Sequence, residues 1–414
     1  MKHHKQQFIY VGVDLHKRTH TAVVINCWNE KLEVIEFENK PSAFSAVITK
    51  VKKHVKEGMT VVFGLEDVGG YGRSLAVYLV ENHFLVKEVN AALSNWKRRS
   101  YAMTEKHDSW DAENIAKLLL DELDRLPTAQ PQDDYWILKQ LVMRRYSLRD
   151  TLVMLKNQLH TQLSYNYPSY SKFFSEVDGA TALAVWHEYP SPYLLEGVTL
   201  EDLTTFLREN SRNTCSTKKA TLILESVQAD GDTKRKGQEY RDFLVRSLVN
   251  QVRDVHREMN DVEDNIRDIM EKLDFKLNTF TGIDTVTASA IVAEIGDISR
   301  FSSADKLAKY AGLTPSQMSS GGRGKDRNQR QGNRALNKIL WGLAVRQVQT
   351  ARTSKKPLNP LFYAYYEKRL SEGKKKKQAI ICIMRRLVSI LYSMMRNKSE
   401  YRVPPMPELA AIAS

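Results

Sequence analysis

Four carboxylates in this chain have the types and spacing to hold divalent cations. Asp14 closes the apolar run FIYVGVDL (8–15), Glu66 closes the run TVVFGLE (60–66), and Asp108 and Asp111, three apart, share one face of an expected helix. Hard cations take oxygen ligands, and metal pairs held by such clusters flank a phosphate in enzymes that cut or move phosphodiesters. Each residue alone has a plainer reading. Asp14 can be a strand-end turn residue, Asp67 competes with Glu66, Asp108 can cap its helix, and Asp111 can lie on a solvated face. His16, two residues after Asp14, is a structural histidine by this reading and stays outside the catalytic set.

The elements that must position these groups are legible as periodicity. FIYVGVDL, HTAVVINCW and KLEVIEF are β-branched and aromatic runs with short polar connections, which predicts a meander. A helix-period stretch (Phe44, Val47, Ile48, Val51), the buried-type strand TVVFGLE, a helix over about 73–82, the strand FLVKEV and a helix over about 108–124 follow. Strands alternating with helices predict an α/β domain. First strand, fourth strand and late helix is the order in which a ribonuclease-H-like sheet carries its acidic residues. PTAQPQDD (127–134) reads as a linker, so the first domain is expected over 1–130.

Beyond it β character disappears. Residues 136–164 and 236–273 are long, charged and heptad-like, with Leu138, Leu141, Val142, Leu148, Leu152, Leu155 and Leu159 apolar in the first, which predicts a coiled coil within a helical segment 131–275. The turn-rich stretch 165–235 between them predicts short helices and no chemistry. An all-α C-terminal domain, 276–414, opens on FTGIDTVTASAIVAEIGDISRF, whose Gly turn between helical stretches resembles a helix-hairpin-helix. A Gly/Arg-rich loop and helices at about 333–351 and 378–396 follow.

The chain's net charge of +13 is regional. Residues 301–400 hold 22 Lys/Arg against 5 Asp/Glu, a net of +17, which leaves the rest at −4. Such an excess beside a Gly/Arg loop and amphipathic helices points to nucleic acid before membrane. Arg323, Lys325, Arg327 and Arg330 in the loop are candidates to neutralise a phosphate, and Arg334, Lys338, Arg346, Arg385 and Arg386 recur on helices among apolar residues, as phosphate-tracking stripes do. Lys374 to Lys377 read as a solvated charge run. Three scattered cysteines give no disulfide framework and no CxxC site, the histidines form no HExxH, and no stretch reads as a signal peptide or as the roughly 18 apolar residues of a membrane span. A cytoplasmic chain without membrane contact is expected.

GVDLHK (12–17), LEDVGGYG (65–72), VNAALSNWKR (89–98) and KHDSWDAENIA (106–116) resemble the four successive blocks of the DEDD insertion-sequence transposases, bridge-RNA-guided recombinases with a RuvC-like N-terminal domain. TGIDTVTASAIVAEIGDISRF, KLAKYAGLTPSQMSSGGRGKDRNQRQGNRAL and AIICIMRRLVSILYSMM resemble the family's transposase domain. The resemblance implies a Mg2+ site made by Asp14, Glu66, Asp108 and Asp111, and a nucleophilic serine five residues after Pro315, which is Ser320, with Ser319 its one-residue rival. It implies donor and target DNA and a guide RNA as partners, and a phosphoserine-DNA intermediate. The coiled coil and the need for several active sites imply a homodimer assembling to a tetramer. The family's hairpin turn reads Pro-Gly-Ile-Gly where this chain has Thr281, Gly282, Ile283 and Asp284. A junction nuclease using the same carboxylates without a serine adduct, an actin-like ATPase and a noncatalytic nucleic-acid scaffold are the alternatives.

Overall fold

A computed structural model describes residues 4–67, 69–100, 107–131, 133–314, 319–320, 323–324 and 332–403. The chain forms two compact units: Met1–Leu138 together with Asp274–Ser414, and Lys139–Leu273.

The first unit contains a mixed five-stranded sheet. Strands β1 (Phe8–Leu15), β2 (Thr19–Ile25) and β3 (Lys31–Glu38) are joined by connections too short for a crossover, so they pair antiparallel. Helix α1 (Pro41–Lys52) then returns the chain to β4 (Thr60–Leu65), and α2 (Arg73–Glu81) to β5 (Leu85–Glu88). Those longer routes make β4 parallel to β1 and β5 parallel to β4, giving the order β3-β2-β1-β4-β5 with β1 in the middle. Helices α3 (Ala91–Arg99) and α4 (Asp108–Glu122) follow.

The unbroken apolar runs of β1 and β4 are explained by cover on both sheet faces. Ile9, Val11 and Val13 join Phe44, Val47, Phe63 and Leu65 in one core, while Tyr10 and Val62 join Ile115, Ala116 and Leu119 of α4 in the other. Strand period two therefore assigns the even-numbered residues of both strands to the α4 face. Asp14 and Glu66 are even-numbered. Gly12 and Gly64 are too, and their lack of a side chain lets α4 approach: a methyl at Gly12 would overlap the Ala112 carbonyl oxygen and the Ala116 amide nitrogen.

The expected linker is in part bound to the sheet. Glu88 N–H donates to the Pro127 carbonyl at 2.9 Å, Ala129 N–H donates to Val86 at 2.8 Å, and Thr128 bridges Lys87 in antiparallel register. Backbone donors and acceptors left open at the β5 edge are satisfied this way.

Helix α5 (Asp133–Asn166), which enters the second unit at Lys139, runs antiparallel there to α9 (Gln238–Leu273), with Arg145 Nε donating to Glu263 at 2.7 Å and Arg144 Nε to Glu258 at 2.9 Å. Such partly exposed pairs are each worth about 0–1 kcal/mol. The apolar rows Leu155, Leu159 and Leu163 of α5 and Val245, Val249 and Val252 of α9 are buried in one core. The inserted stretch is folded into that core. It carries α6 (Ala180–Glu188), α7 (Leu200–Glu209) and α8 (Thr217–Asp230), and its Trp186 stacks on Phe173 at 5.8 Å.

Within the first unit, residues beyond 274 form α10 (Thr285–Ile295), α11 (Ala304–Tyr310), a two-residue antiparallel pair β6 (Ser319–Ser320) and β7 (Arg323–Gly324), then α12 (Arg334–Gln347), α13 (Pro360–Ser371) and α14 (Lys376–Asn397). The turn at 281–284 is preceded by a single 3-10 turn, Leu277–Thr279, rather than by a helix. Gly282 has φ +89°, and Asp284 caps α10 by accepting from Thr287 N–H at 2.7 Å. Arg346, expected on a phosphate-tracking stripe, instead donates to the Gly282 carbonyl at 2.6 Å. Among the described residues α14 alone has the length and apolarity of a membrane span, and its Ile383, Leu387 and Leu391 are buried, with α11, α12 and α13 packed on the helix.

Candidate active site

Because β1 and β4 are parallel and in register, with Val13 opposite Leu65, their next residues lie together at the carboxyl end of these strands. Asp14 and Glu66 are therefore neighbours by construction. The first turn of α4 arrives at that end with Asp108 and Asp111. The cap of α4 is His107, whose Nδ1 accepts from Trp110 N–H at 3.1 Å, so Asp108 is not needed as the cap. Asp67 closes its own turn by accepting from Tyr71 N–H at 2.9 Å, which leaves Glu66 as the carboxylate facing the others.

His16 joins this group, contrary to its sequence reading. Its Nε2 lies 3.0 Å from Asp14 Oδ2 and 3.4 Å from Asp108 Oδ1, and one ligand atom from each of Asp14, His16 and Asp108 lies within 4.8 Å of the others. Asp111 lies 3.5 Å from Arg98 Nη1, and Arg98 Nη2 donates to Asn95 Oδ1 at 2.9 Å. Helix α3 is thus a wall of the site that sequence reading assigned no role. Its Ser94 and Arg98, one turn apart, face Glu66 and Asp111; their i, i+4 spacing inside the block VNAALSNWKR was the available signal.

The electrostatics separate these acids from ordinary ones. Burial raises the Asp14 pKa first of all; His16 opposes this, while Asp111 and Asp108 push it further up. Burial likewise raises Glu66, against a hydrogen bond from Ser94, with Asp14 and Asp111 adding to the rise and Arg98 countering it. Glu113, also buried on α4, behaves oppositely. Burial would raise it, but ion pairs to Lys117 at 2.7 Å and Lys31 at 2.5 Å hold it below the usual carboxylate range. Asp14 and Glu66 are thus negative charges that the protein does not fully compensate, in a cluster of hard oxygen donors. That is what a divalent cation site requires.

A family profile described as "Transposase" matches residues 11–168, and a second, described as "Transposase IS116/IS110/IS902 family", matches residues 275–367. A Streptomyces clavuligerus protein, the IS116 uncharacterized 44.8 kDa protein, is 26% identical over 97% of this chain and 98% of its own length. A Streptomyces coelicolor protein, the IS110 uncharacterized 43.6 kDa protein, is 30% identical over 41% of each chain, and the pilin gene-inverting protein of Moraxella bovis is 23% identical over 95% of this chain and 97% of its own. The chain belongs to the IS110-type family of DEDD transposases. It is a DNA transposase enzyme, and its family implies dependence on a divalent metal.

The basic candidates of the transposase fall unevenly on the structure. Arg334 and Lys338 are exposed on one face of α12. Lys325, Arg327 and Arg330 lie outside the described residues. Ser319, Ser320 and Arg323 are described through their backbone only, with Ser320 opposite Arg323 in the β6-β7 pair.

The raised pKa values carry a thermal signature. A carboxyl whose folded pKa exceeds its unfolded value holds its proton more tightly when folded. Stability therefore falls as pH rises from the unfolded value near ~4 through the folded one, and the deficit persists at pH 7. Asp14→Asn should accordingly raise the melting temperature of the chelator-treated transposase at pH 7 by roughly 2 °C, with the gain vanishing below about pH 4. Millimolar Mg2+ should raise the wild-type value and leave Asp14→Asn nearly unmoved. Calorimetry in the two buffers checks this, and a wild-type protein indifferent to the cation would count against the site.

Proposed function

We propose that the transposase is an RNA-guided DNA recombinase whose RuvC-like domain (1–130) holds Mg2+ through Asp14, Glu66, Asp108 and Asp111, and whose C-terminal domain (276–414) supplies Ser320 as nucleophile. The observation that carries the reading is the meeting of two strand ends and one helical turn, all acidic, at the carboxyl end of the central strands. Bound Mg2+ would supply Lewis-acid stabilisation of charge on the phosphate and assistance in ionising a hydroxyl.

The chain's own residues do the rest. A serine hydroxyl is a weak nucleophile at neutral pH and needs an adjacent base or metal, which is the reason to join Ser320 to the carboxylates in one composite centre. Membership of 1–138 and 274–414 in the same compact unit supports that joining. In the reaction Ser320 Oγ loses its proton and bonds to the scissile phosphorus as the bond to the 3′ oxygen breaks, leaving a phosphoserine link and a free 3′ hydroxyl. A 3′ hydroxyl on another strand reverses the step, so one phosphoester replaces another and no external energy source is consumed. Arg323, Lys325, Arg327 and Arg330 neutralise the phosphate, and Arg334 and Lys338 hold the flanking backbone. The helix-hairpin-helix-like turn serves the protein's own packing, since Asp284 and Arg346 are engaged there.

The helical segment 131–275, read as a coiled coil, joins subunits into a dimer and then a tetramer, because recombining two duplexes needs several centres. The pilin gene-inverting relative supports recombination as the outcome. In this reading the reaction runs in the cytoplasm on donor and target DNA under a guide RNA. Incubation of the purified protein and its co-purified RNA with donor DNA and Mg2+, followed by denaturing electrophoresis, should reveal a covalent protein-DNA adduct. Hydrolysed ends without any adduct would replace this reading with that of a junction nuclease.

A further inference from the structure

The apolar face of α14 packs inward, yet a second stripe of the same helix lines an open cavity. Arg386, Ser389, Ile390, Ser393, Met394 and Asn397 follow one another at helical spacing along one wall of a space of about 740 Å³. Leu361, Phe362 and Tyr365 of α13 form the facing wall. Tyr401 closes one end. Its ring packs on Phe280 with centroids 4.6 Å apart, and its N–H donates to Thr279 Oγ1 at 2.9 Å, so the rim is pinned.

Arg386 is the unusual member. Its guanidinium lies 4.3 Å from the centre of the Tyr365 ring, and its Nη1 is buried without a hydrogen-bond partner. Two neighbouring arginines are matched by acids: Arg369, over the same ring at 4.7 Å, donates to Glu372 at 2.7 Å, and Arg385 lies 3.6 Å from Asp305. Among the described residues no ion pair joins a carboxylate to Arg386, and the one acid in the lining, Glu400, is accompanied there by Arg402. Burial lowers its pKa against the pull of Tyr365, and the charge of Arg369 acts in the same direction as burial. A guanidinium does not escape by losing its proton, so a half-buried, unmatched one favours an anion.

The rest of the cavity says what the anion is attached to. Its volume falls in the range of small-ligand sites, and its Leu361, Ile390 and Met394 surfaces suit a flat apolar body. Ser389 Oγ donates to the Arg385 carbonyl and Asn397 Nδ2 to Ser393 Oγ, each at 3.3 Å, which leaves the Ser393 hydroxyl proton, the Asn397 amide oxygen and the Ser389 lone pairs for the edge of such a body. We propose that this cavity receives one unstacked nucleotide of a bound nucleic acid, with its phosphate on Arg386 and its base between α13 and α14. The proposal rests on the transposase reading only in taking nucleic acid as the ligand, and it involves no bond making or breaking.

Single-stranded 12-mers of DNA and of RNA, each with one central 2-aminopurine, would be titrated into the full chain in chelator, where no strand chemistry occurs. Fluorescence should rise several-fold on binding as the base leaves its stacked neighbours, and the oligonucleotide that gives the larger rise identifies the source. Arg386→Met should bind about ten-fold more weakly and lose the rise, an effect the size of one well-held nucleotide. Ser393→Leu, which fills the cavity without touching a charge, should lose the rise as well; melting curves identify a variant that has not folded. Arg396→Met, which removes a charge from the same helix outside the stripe, should keep it. A rise retained in Arg386→Met and Ser393→Leu, or lost equally in Arg396→Met, overturns the proposal. So does a rise seen only after removal of residues 404–414, which would assign the cavity to the chain's own tail. A protein that shows the rise yet forms no adduct with donor DNA would count against the strand chemistry and leave the cavity's ligand standing.

Discussion

Gly12→Ala is expected to destabilise the sheet domain by about 3 kcal/mol or more, an unusually large effect for one added methyl. The reason is what the methyl would meet. At Gly12 the obstacles are the Ala112 carbonyl oxygen and the Ala116 amide nitrogen and Cα, which are helix backbone and cannot rotate away. Relief requires α4 to lift off β1, opening the core made by Tyr10, Ile115 and Leu119. Gly64 is the matched control. A methyl there would meet Ile115 Cγ2 at 2.9 Å and Leu119 Cδ1 at 3.0 Å, side-chain atoms that can shift, so about 1 kcal/mol is expected. Urea unfolding of both variants decides the matter, and equal midpoints would sink the argument. Gly12→Ala should also weaken the melting-temperature response to Mg2+, because Gly12 is two residues from Asp14 and faces the residue after Asp111.

The second large effect is catalytic. Asp14→Ala should slow strand cleavage by about 10³-fold or more while leaving DNA binding within a few-fold, since in the proposed reaction the carboxylate acts on charge that develops at the phosphate. Ser320→Ala should abolish the covalent adduct altogether, with the same near-normal binding. An adduct that survives in Ser320→Ala and disappears in Ser319→Ala would move the nucleophile by one residue. An adduct that survives in both would remove serine chemistry from this region. Time courses of adduct formation at saturating protein separate the two classes, because a binding defect is overcome there and a chemical one is not.

Much of the sheet domain was legible because its signals are local and agree with one another. The β1 run, the buried residues Phe44, Val47, Ile48 and Val51 of α1, and the start of α4 at Asp108 all follow from apolar periodicity. What periodicity does not carry is partnership across the chain. His16 reads as a lone strand-end histidine until α4 brings Asp108 to within 3.4 Å of it. Ser94 and Arg98 lie on a helix rich in polar residues whose apolar Leu93 and Trp96 are exposed, so no buried face announced it. Pro127 to Ala129 looked like a linker because proline and polar residues mark loops, whereas an open strand edge recruits backbone regardless of side-chain type. Arg346 and Arg386 read alike as basic positions on amphipathic helices. One is held by the Gly282 carbonyl, and the other looks into a cavity.

The parallel register of β1 with β4 carries a genetic consequence. Alternation along a strand is two-fold, so a single inserted or deleted codon between residues 9 and 13 would swing the carboxylate at the end of β1 to the opposite face of the sheet. The same change within 60–65 would do so to Glu66. An in-frame codon gained in the connection between α8 and α9 alters neither strand, because that connection lies in the other compact unit. Length variation among active descendants of this gene should therefore accumulate in the inserted helical stretch and be absent from these two short windows, a pattern that sequencing of drifting copies can score.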